Sequence, residues 1–139
     1  MLLADRHHGL SEGIRGLLES EFPAVVMVAD ETSLLATAAN LRPSLVVADL
    51  ALAHGQGFGW LRRLLARCPG SKVIVLSSHE EAIVGQQALE AGAMGYLRRR
   101  EIATDLLPAV DTVMAGGRYA SPGNLPQETS GIGEPKKSP

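Results

Sequence analysis

The stretch Leu45–Leu50, with the sequence LVVADL, decides the fold of this 139-residue chain. Its apolar residues follow one another without the polar alternation of a strand that has one face in water, and β-branched residues stand near its centre. Such a run predicts a strand buried on both faces, as in a parallel sheet covered by helices. Asp49 stands near the end of the run, so we expect a carboxylate at the carboxyl end of a buried strand.

Four further apolar runs of strand length occur, and amphipathic helical patterns separate them. The runs are Met1–Ala4, Ala24–Ala29, Val73–Leu76 and Met94–Leu97. This (βα)5 alternation predicts the α/β class, with a doubly wound, five-stranded parallel sheet and helices on both faces. We expect Gly92 to follow the end of the fourth helix, and Pro108 to bend the fifth or remove some of its first hydrogen bonds.

The composition changes near residue 122, where apolar periodicity stops and Gly, Pro, Ser and charged residues prevail. We therefore expect a single domain over residues 1–121. Residues 122–139 are expected to form a linker or a disordered tail.

Composition and charge exclude several classes of protein. Cys68 is the single cysteine, so no internal disulfide can form, which fits a reducing compartment. No stretch approaches the ~18 apolar residues of a membrane span. The apolar segment at the N-terminus is too short, and charged residues follow it too soon, for a signal peptide. We expect a cytoplasmic protein. The formal net charge of -2 gives no general attraction to nucleic acid or anionic membranes.

Polar side chains follow four of the predicted strands. Asp5 follows the first, Asp49 closes the third, Ser77 follows the fourth and Arg98–Arg100 follow the fifth. Sites in doubly wound sheets form at this edge, near the point where the strand order reverses. An acid, a hydroxyl and a cation should therefore meet there. A simpler interpretation is that strand ends are polar because they meet solvent.

Five segments together resemble a known family. They are LLADRHHGLSEGI, LVVADLAL, VIVLSSHEEA, ALEAGAMGYLRRR and AGGRYASP, which begin at residues 2, 45, 73, 88 and 115. In combination and spacing they resemble the receiver domains of bacterial response regulators, above all those of the NarL/FixJ (LuxR-type) subfamily. The resemblance covers residues 1 to about 122 and implies the CheY-like, flavodoxin-like receiver fold.

The resemblance also implies roles for five residues. Asp49 matches the phosphoacceptor, and Asp5 matches the first residue of an acid pair that binds Mg²⁺ together with the phosphoacceptor. Ser77 matches the hydroxyl residue that bonds the phosphoryl group, and Tyr96 matches an aromatic that often changes rotamer on activation. Arg99 stands at the position of an invariant lysine. The phosphodonor implied is a phosphohistidine or a small phosphorylated molecule.

Arg6 departs from the family pattern, because it stands where the second metal-binding carboxylate is expected. Two unit charges 4 Å apart interact by about 4 kcal/mol at an effective dielectric of ~20, so a guanidinium there penalises Mg²⁺. One hypothesis makes Arg6 a built-in counter-ion for Asp5 or Asp49, with Mg²⁺-dependent phosphorylation weak or absent. The other keeps phosphorylation, with Arg6 and Arg99 neutralising the phosphoryl oxygens.

The leading interpretation is a receiver module of a two-component system. It would take a signal at Asp49 from a sensor histidine kinase or another signalling protein, and pass it on through the fourth helix, the fifth strand and the fifth helix. We expect the chain to form a homodimer and not to be an enzyme. The family's usual output, a DNA-binding helix-turn-helix domain that regulates transcription, is absent from these residues, which fits either a stand-alone receiver or a truncated chain. We therefore expect no nucleic-acid binding by this chain itself.

Two alternatives remain open. One is a phosphorylation-independent pseudo-receiver that acts as a protein-interaction domain; the arginine substitutions favour it and the retained Asp49 and Ser77 oppose it. The other is a hydrolase, since one fold hosts many functions. No nucleophile–His–acid order is visible, and Ser77 has no general base nearby in the sequence.

Overall fold

The computed structural model describes residues 1–5, 8–52, 57–78 and 81–120. Strands and helices alternate along these residues. The strands are β1 Leu2–Ala4, β2 Val26–Val28, β3 Leu45–Asp49, β4 Lys72–Ser77, β5 Gly95–Arg98 and β6 Tyr119–Ala120. The helices are α1 His8–Glu19, α2 Glu31–Leu41, α3 Gly59–Arg67, α4 Ala82–Glu90 and α5 Ile102–Met114.

The strands form one parallel sheet in the order β2-β1-β3-β4-β5-β6. The chain moves from β1 outward to β2 and then returns to the other side of β1 with β3. The order therefore reverses between β1 and β3, which is where doubly wound sheets place their binding sites. In the register of these two strands Ala4 pairs with Ala48, so the next residues, Asp5 and Asp49, lie side by side.

Apolar side chains on the two faces of the sheet form two separate cores. Val46 and Ala48 of β3 pack in the core that α2, α3 and α4 cover, and Leu45 and Val47 pack in the core that α1 and α5 cover. Alternate residues of one strand thus enter different cores, and both sets must be apolar. This two-sided burial explains the unbroken apolar run of β3.

The predicted doubly wound sheet is confirmed, and the strand bounds differ from the sequence prediction by one or two residues. The structure adds a short sixth strand, β6, which pairs with β5 at the edge of the sheet. Pro108 lies inside α5 and does not end it. The predicted tail, residues 122–139, lies outside the described residues, so the domain boundary remains a prediction.

Local signals in the sequence set the ends of two helices. The Asp30 carboxylate accepts a hydrogen bond from the backbone N–H of Ser33 at 2.7 Å and so caps the start of α2. Gly92 follows the last turn of α4 with a φ of 115°, as predicted for a residue just beyond a helix. A Cβ atom at Gly92 would lie 2.5 Å from Cδ1 of Leu65, so both conformation and space favour glycine there.

None of the helices in the described part of the chain is both long enough and apolar enough to cross a membrane.

Candidate functional site

Two buried carboxylates lie at the carboxyl edge of the sheet, where the strand order reverses. Asp5 directly follows β1, and its backbone N–H donates to the carbonyl of Val28 at 3.0 Å, so β1 stays in register up to the acid. Asp49 is the last residue of β3. The exposed fraction is 0% for the Asp5 side chain and 4% for the Asp49 side chain. Buried carboxylates need hydrogen-bond donors and cations around them.

The turn after β3 holds the Asp49 carboxylate from the backbone side. The chain enters a short 3-10 turn over Leu50–Leu52, and the N–H of Ala51 donates to Oδ1 of Asp49 at 2.7 Å. A backbone donor to a carboxylate stabilises its charged form. The resemblance gave no indication of this contact, because it depends on the path of the backbone and not on the side chain at position 51.

Arg99 joins the two carboxylates. Its Nη1 donates to Oδ2 of Asp49 at 2.5 Å, and its Nη2 donates to Oδ2 of Asp5 at 2.8 Å. The side chain is 14% exposed, so the guanidinium is largely withdrawn from water. Arg99 directly follows β5, two strands from β3, so its side chain must cross the end of β4 to reach the acids. The planar fork of a guanidinium can bond two acceptors at once.

The three consecutive arginines Arg98–Arg100, the first of which is the last residue of β5, have different surroundings. Arg98 is paired with Glu101, with nitrogen–oxygen distances of 3.1 and 3.0 Å, and Arg100 is exposed. Arg99 contacts both members of the Asp5–Asp49 pair. Arg99 is therefore the cation that the sequence predicts beside the acids at this edge of the sheet.

Ser77 and Tyr96 occupy the two strands between β3 and Arg99. Ser77 ends β4, directly after Leu76, which pairs with Asp49. It is buried at the same edge of the sheet as the acids. Tyr96 lies in β5 with no exposed surface and packs in the core beneath α2, α3 and α4. A rotamer change at Tyr96 would therefore require that core to repack.

Asp5, Asp49 and Arg99 together carry a formal charge of −1. Mg²⁺ takes near-octahedral oxygen ligands at about 2.0–2.1 Å and commonly uses one or two carboxylates. Both acids are of the right type, but Oδ2 of each already bonds the Arg99 guanidinium. A divalent ion bridging the acids would have to displace that cation or lie beside it. This arrangement therefore does not fit Mg²⁺, and among the described residues no group of three or more His, Cys, Asp or Glu side chains could hold a metal.

A second polar contact joins β6 to α5, away from the acids. The Tyr119 hydroxyl donates to Oδ2 of Asp105 at 3.0 Å. Burial raises the pKa of Tyr119 above its ordinary value of 10.0, and the hydrogen bond to Asp105 and the charges of Asp105 and Glu101 raise it further. The neutral phenol is therefore the form that the folded chain favours.

The structure brings together Asp5, Asp49 and Arg99 of the residues singled out in the sequence, and it places Ser77 at the same edge. Arg6, the proposed counter-ion, lies outside the described residues, so its role stays a hypothesis. The double contact of Arg99 was not predicted. The signal was present in the sequence, since an arginine in place of a lysine supplies a fork that can bond two carboxylates.

Comparison with known proteins assigns the chain to one family. A family model described as "Response regulator receiver domain" matches residues 1–111. The chain is similar to the transcriptional regulatory protein DegU of Brevibacillus brevis, at 31% identity over 88% of this chain and 52% of DegU. It is also similar to the transcriptional activator protein ExaE of Pseudomonas putida, at 35% identity over 86% of this chain and 56% of ExaE. The chain thus spans about half the length of the curated relatives it matches.

Solved structures show the same fold. A two-component response regulator of the LuxR family from Aurantimonas sp. SI85-9A1 superposes with a TM-score of 0.77 at 28% identity, over 88% of this chain and 89% of that one. The isolated receiver domain of RcsB from Salmonella enterica serovar Typhimurium, solved with a phosphomimetic, gives a TM-score of 0.79 at 22% identity, over 88% and 93% of the two chains. The second likeness shows the fold alone.

Proposed function

The chain belongs to the response regulator receiver domain family of two-component signal transduction, and we propose that Asp49 is its phosphoacceptor. The observation that supports this role is the buried Asp49 carboxylate at the strand-order reversal, held by the N–H of Ala51 and the guanidinium of Arg99. Receiver domains generally act as signalling modules and not as enzymes. Neither the phosphorylation-independent alternative nor a hydrolase is favoured by this family membership.

The proposed reaction is a phosphoryl transfer to the Asp49 carboxylate. A carboxylate oxygen attacks phosphorus and forms a new P–O bond as the bond from phosphorus to the donor's nitrogen or oxygen breaks. The donor's leaving group departs with the bonding electron pair; an imidazole leaving group takes a proton from solvent, whereas acetate leaves as the anion. The acyl phosphate carries about two negative charges where the carboxylate carried one. Arg99 lies close enough to Asp49 to neutralise the extra negative charge.

Two residues are proposed to carry the signal away from Asp49. The Ser77 hydroxyl ends the strand next to β3 and would donate to a phosphoryl oxygen. Tyr96 lies one strand further along and is enclosed beneath the helices. Movement of Ser77 toward the phosphoryl group would change the packing beside Tyr96, and so the surface formed by α4, β5 and α5.

The partners follow from the family and its members' names. We propose that the chain acts in the cytoplasm, with a sensor histidine kinase or another signalling protein as its input partner and a homodimer as the active assembly. The relatives are named as transcriptional regulators, so we propose that this receiver controls transcription through an output domain. Sedimentation of the phosphorylated chain would measure the mass of the assembly.

Labelling of the full chain with acetyl phosphate tests the assignment of Asp49. We expect the intact mass to rise by one phosphoryl group in the unchanged chain and to stay constant in Asp49→Asn. Asparagine keeps the shape of the side chain and an oxygen that can accept from Ala51, but it is not a nucleophile under these conditions. Circular dichroism would verify that the variant is folded.

Asp111→Asn is the matched control, because Asp111 is an exposed aspartate in the last turn of α5. It removes the same charge and should label like the unchanged chain. Labelling of Asp49→Asn to the same extent as the unchanged chain would contradict the assignment.

A further inference from the structure

The position between Asp5 and Asp49 is filled by a cation that belongs to the chain itself. One guanidinium reaches both acids through separate nitrogens, and the two bonds involve the Oδ2 atoms of the acids. Because Asp5 and Asp49 are buried and adjacent, their like charges would otherwise face each other at short range. The guanidinium thus relieves a repulsion that a free metal ion could also relieve.

Charge and coordination both oppose a metal while Arg99 stays in place. A divalent ion near the guanidinium would meet a unit positive charge in a site with little water to screen it. The ion would also need oxygen ligands at its short preferred distance, and the Oδ2 atoms are engaged. The contacts of the two acids are therefore those of a site already neutralised in part, not those of an open cation site.

We infer that Arg99 takes the place of a divalent cation at the Asp5–Asp49 pair, so that this receiver binds Mg²⁺ weakly and accepts a phosphoryl group without it. The first part depends only on the geometry of the three side chains. The second part rests on the proposed function of Asp49. The guanidinium can serve both states, because it bonds carboxylate and phosphoryl oxygens through the same planar donors.

Metal binding by the full chain tests the first part without any phosphodonor. The probe is Mn²⁺, measured by loss of the electron paramagnetic resonance signal of the free ion, with Mg²⁺ as competitor. The unchanged chain should bind Mn²⁺ weakly. Arg99→Gln should bind it more tightly by about tenfold or more, since two buried carboxylates then lie together without the guanidinium.

Three further variants locate the effect. Arg100→Gln removes an equal charge at the exposed neighbouring position and should leave the Mn²⁺ affinity unchanged. Asp5→Asn combined with Arg99→Gln should abolish the gain. Arg99→Lys keeps the charge without the planar fork, and its Mn²⁺ affinity should lie between those of the unchanged chain and Arg99→Gln. This variant gives a readout even if Arg99→Gln proves poorly folded.

The inference is overturned if the unchanged chain binds Mn²⁺ as tightly as Arg99→Gln, or if Arg100→Gln raises the affinity as much. Acetyl phosphate labelling tests the second part, and the unchanged chain should label equally with Mg²⁺ and with a chelator. Labelling lost in chelator would overturn metal independence. A complete lack of labelling under both conditions would instead contradict the proposed function of Asp49 and leave the metal-binding result standing.

Discussion

Arg99 is the residue on which the site depends most, and its removal should cost stability as well as function. Breaking a buried ion pair by removing one partner costs about 3–5 kcal/mol, because the other charge stays in a poorly solvated position. We expect Arg99→Ala to lower the free energy of unfolding by about 3 kcal/mol, allowing for its partial exposure. Urea denaturation at neutral pH measures this difference.

The Arg63–Glu31 pair offers a matched control. Its shortest nitrogen–oxygen distance is 2.5 Å, as for Arg99 and Asp49, but the Arg63 side chain is 54% exposed. Exposed pairs contribute about 0–1 kcal/mol, so Arg63→Ala should have a small effect. Equal losses of unfolding free energy in the two variants would show that burial does not determine how much the Asp5–Asp49–Arg99 cluster contributes to stability.

The sequence predicted part of the contacts among the site residues. Asp5 and Asp49 could be placed together because each stands at the carboxyl end of a predicted strand, and parallel strands end at one edge of a sheet. The fork of Arg99 indicated that it could bond two acids, but its contact with this pair also depends on the reach of the side chain across the end of β4, which the sequence does not give. Nor could the Ala51 N–H be found, since a backbone donor carries no mark in the sequence.

Substitution by alanine should change the stability of the fold in opposite directions at two glycines, one just beyond α4 and one within α1. Gly92→Ala should destabilise the fold by about 1–2 kcal/mol, because alanine resists a positive φ and its Cβ would collide with Leu65. Gly16 lies exposed in α1 with open space around it. Gly16→Ala should stabilise the fold by up to about 1 kcal/mol. Thermal unfolding compares the two, and a change of the same sign in both would contradict this account.

The attachment of β6 to α5 should weaken at alkaline pH. The pKa of Tyr119 is raised in the folded chain, so the stability from this group is fully present below the unfolded value of about 10 and is lost as the pH rises through the folded value. Tyr119→Phe should therefore flatten the fall in melting temperature above that pH. A fall as steep in the variant as in the unchanged chain would assign the alkaline loss to other groups.

For the whole molecule, hydrophobic patterning predicted the fold well. The unbroken apolar runs of β3 and β4 reflect burial on both faces, and that pattern alone indicates a parallel sheet with helices on either side. The two-residue β6 escaped prediction, because a segment so short has no periodicity to detect. The family could be recognised from the combination and spacing of five segments spread along the chain.

If Asp49 accepts the phosphoryl group, chemical mapping of the labelled chain will find the label at this residue. Borohydride reduces an aspartyl phosphate to homoserine, which marks the phosphorylated residue in a peptide digest. We expect homoserine at position 49 and at no other acidic position. Homoserine at another aspartate, with residue 49 recovered as aspartate, would contradict it.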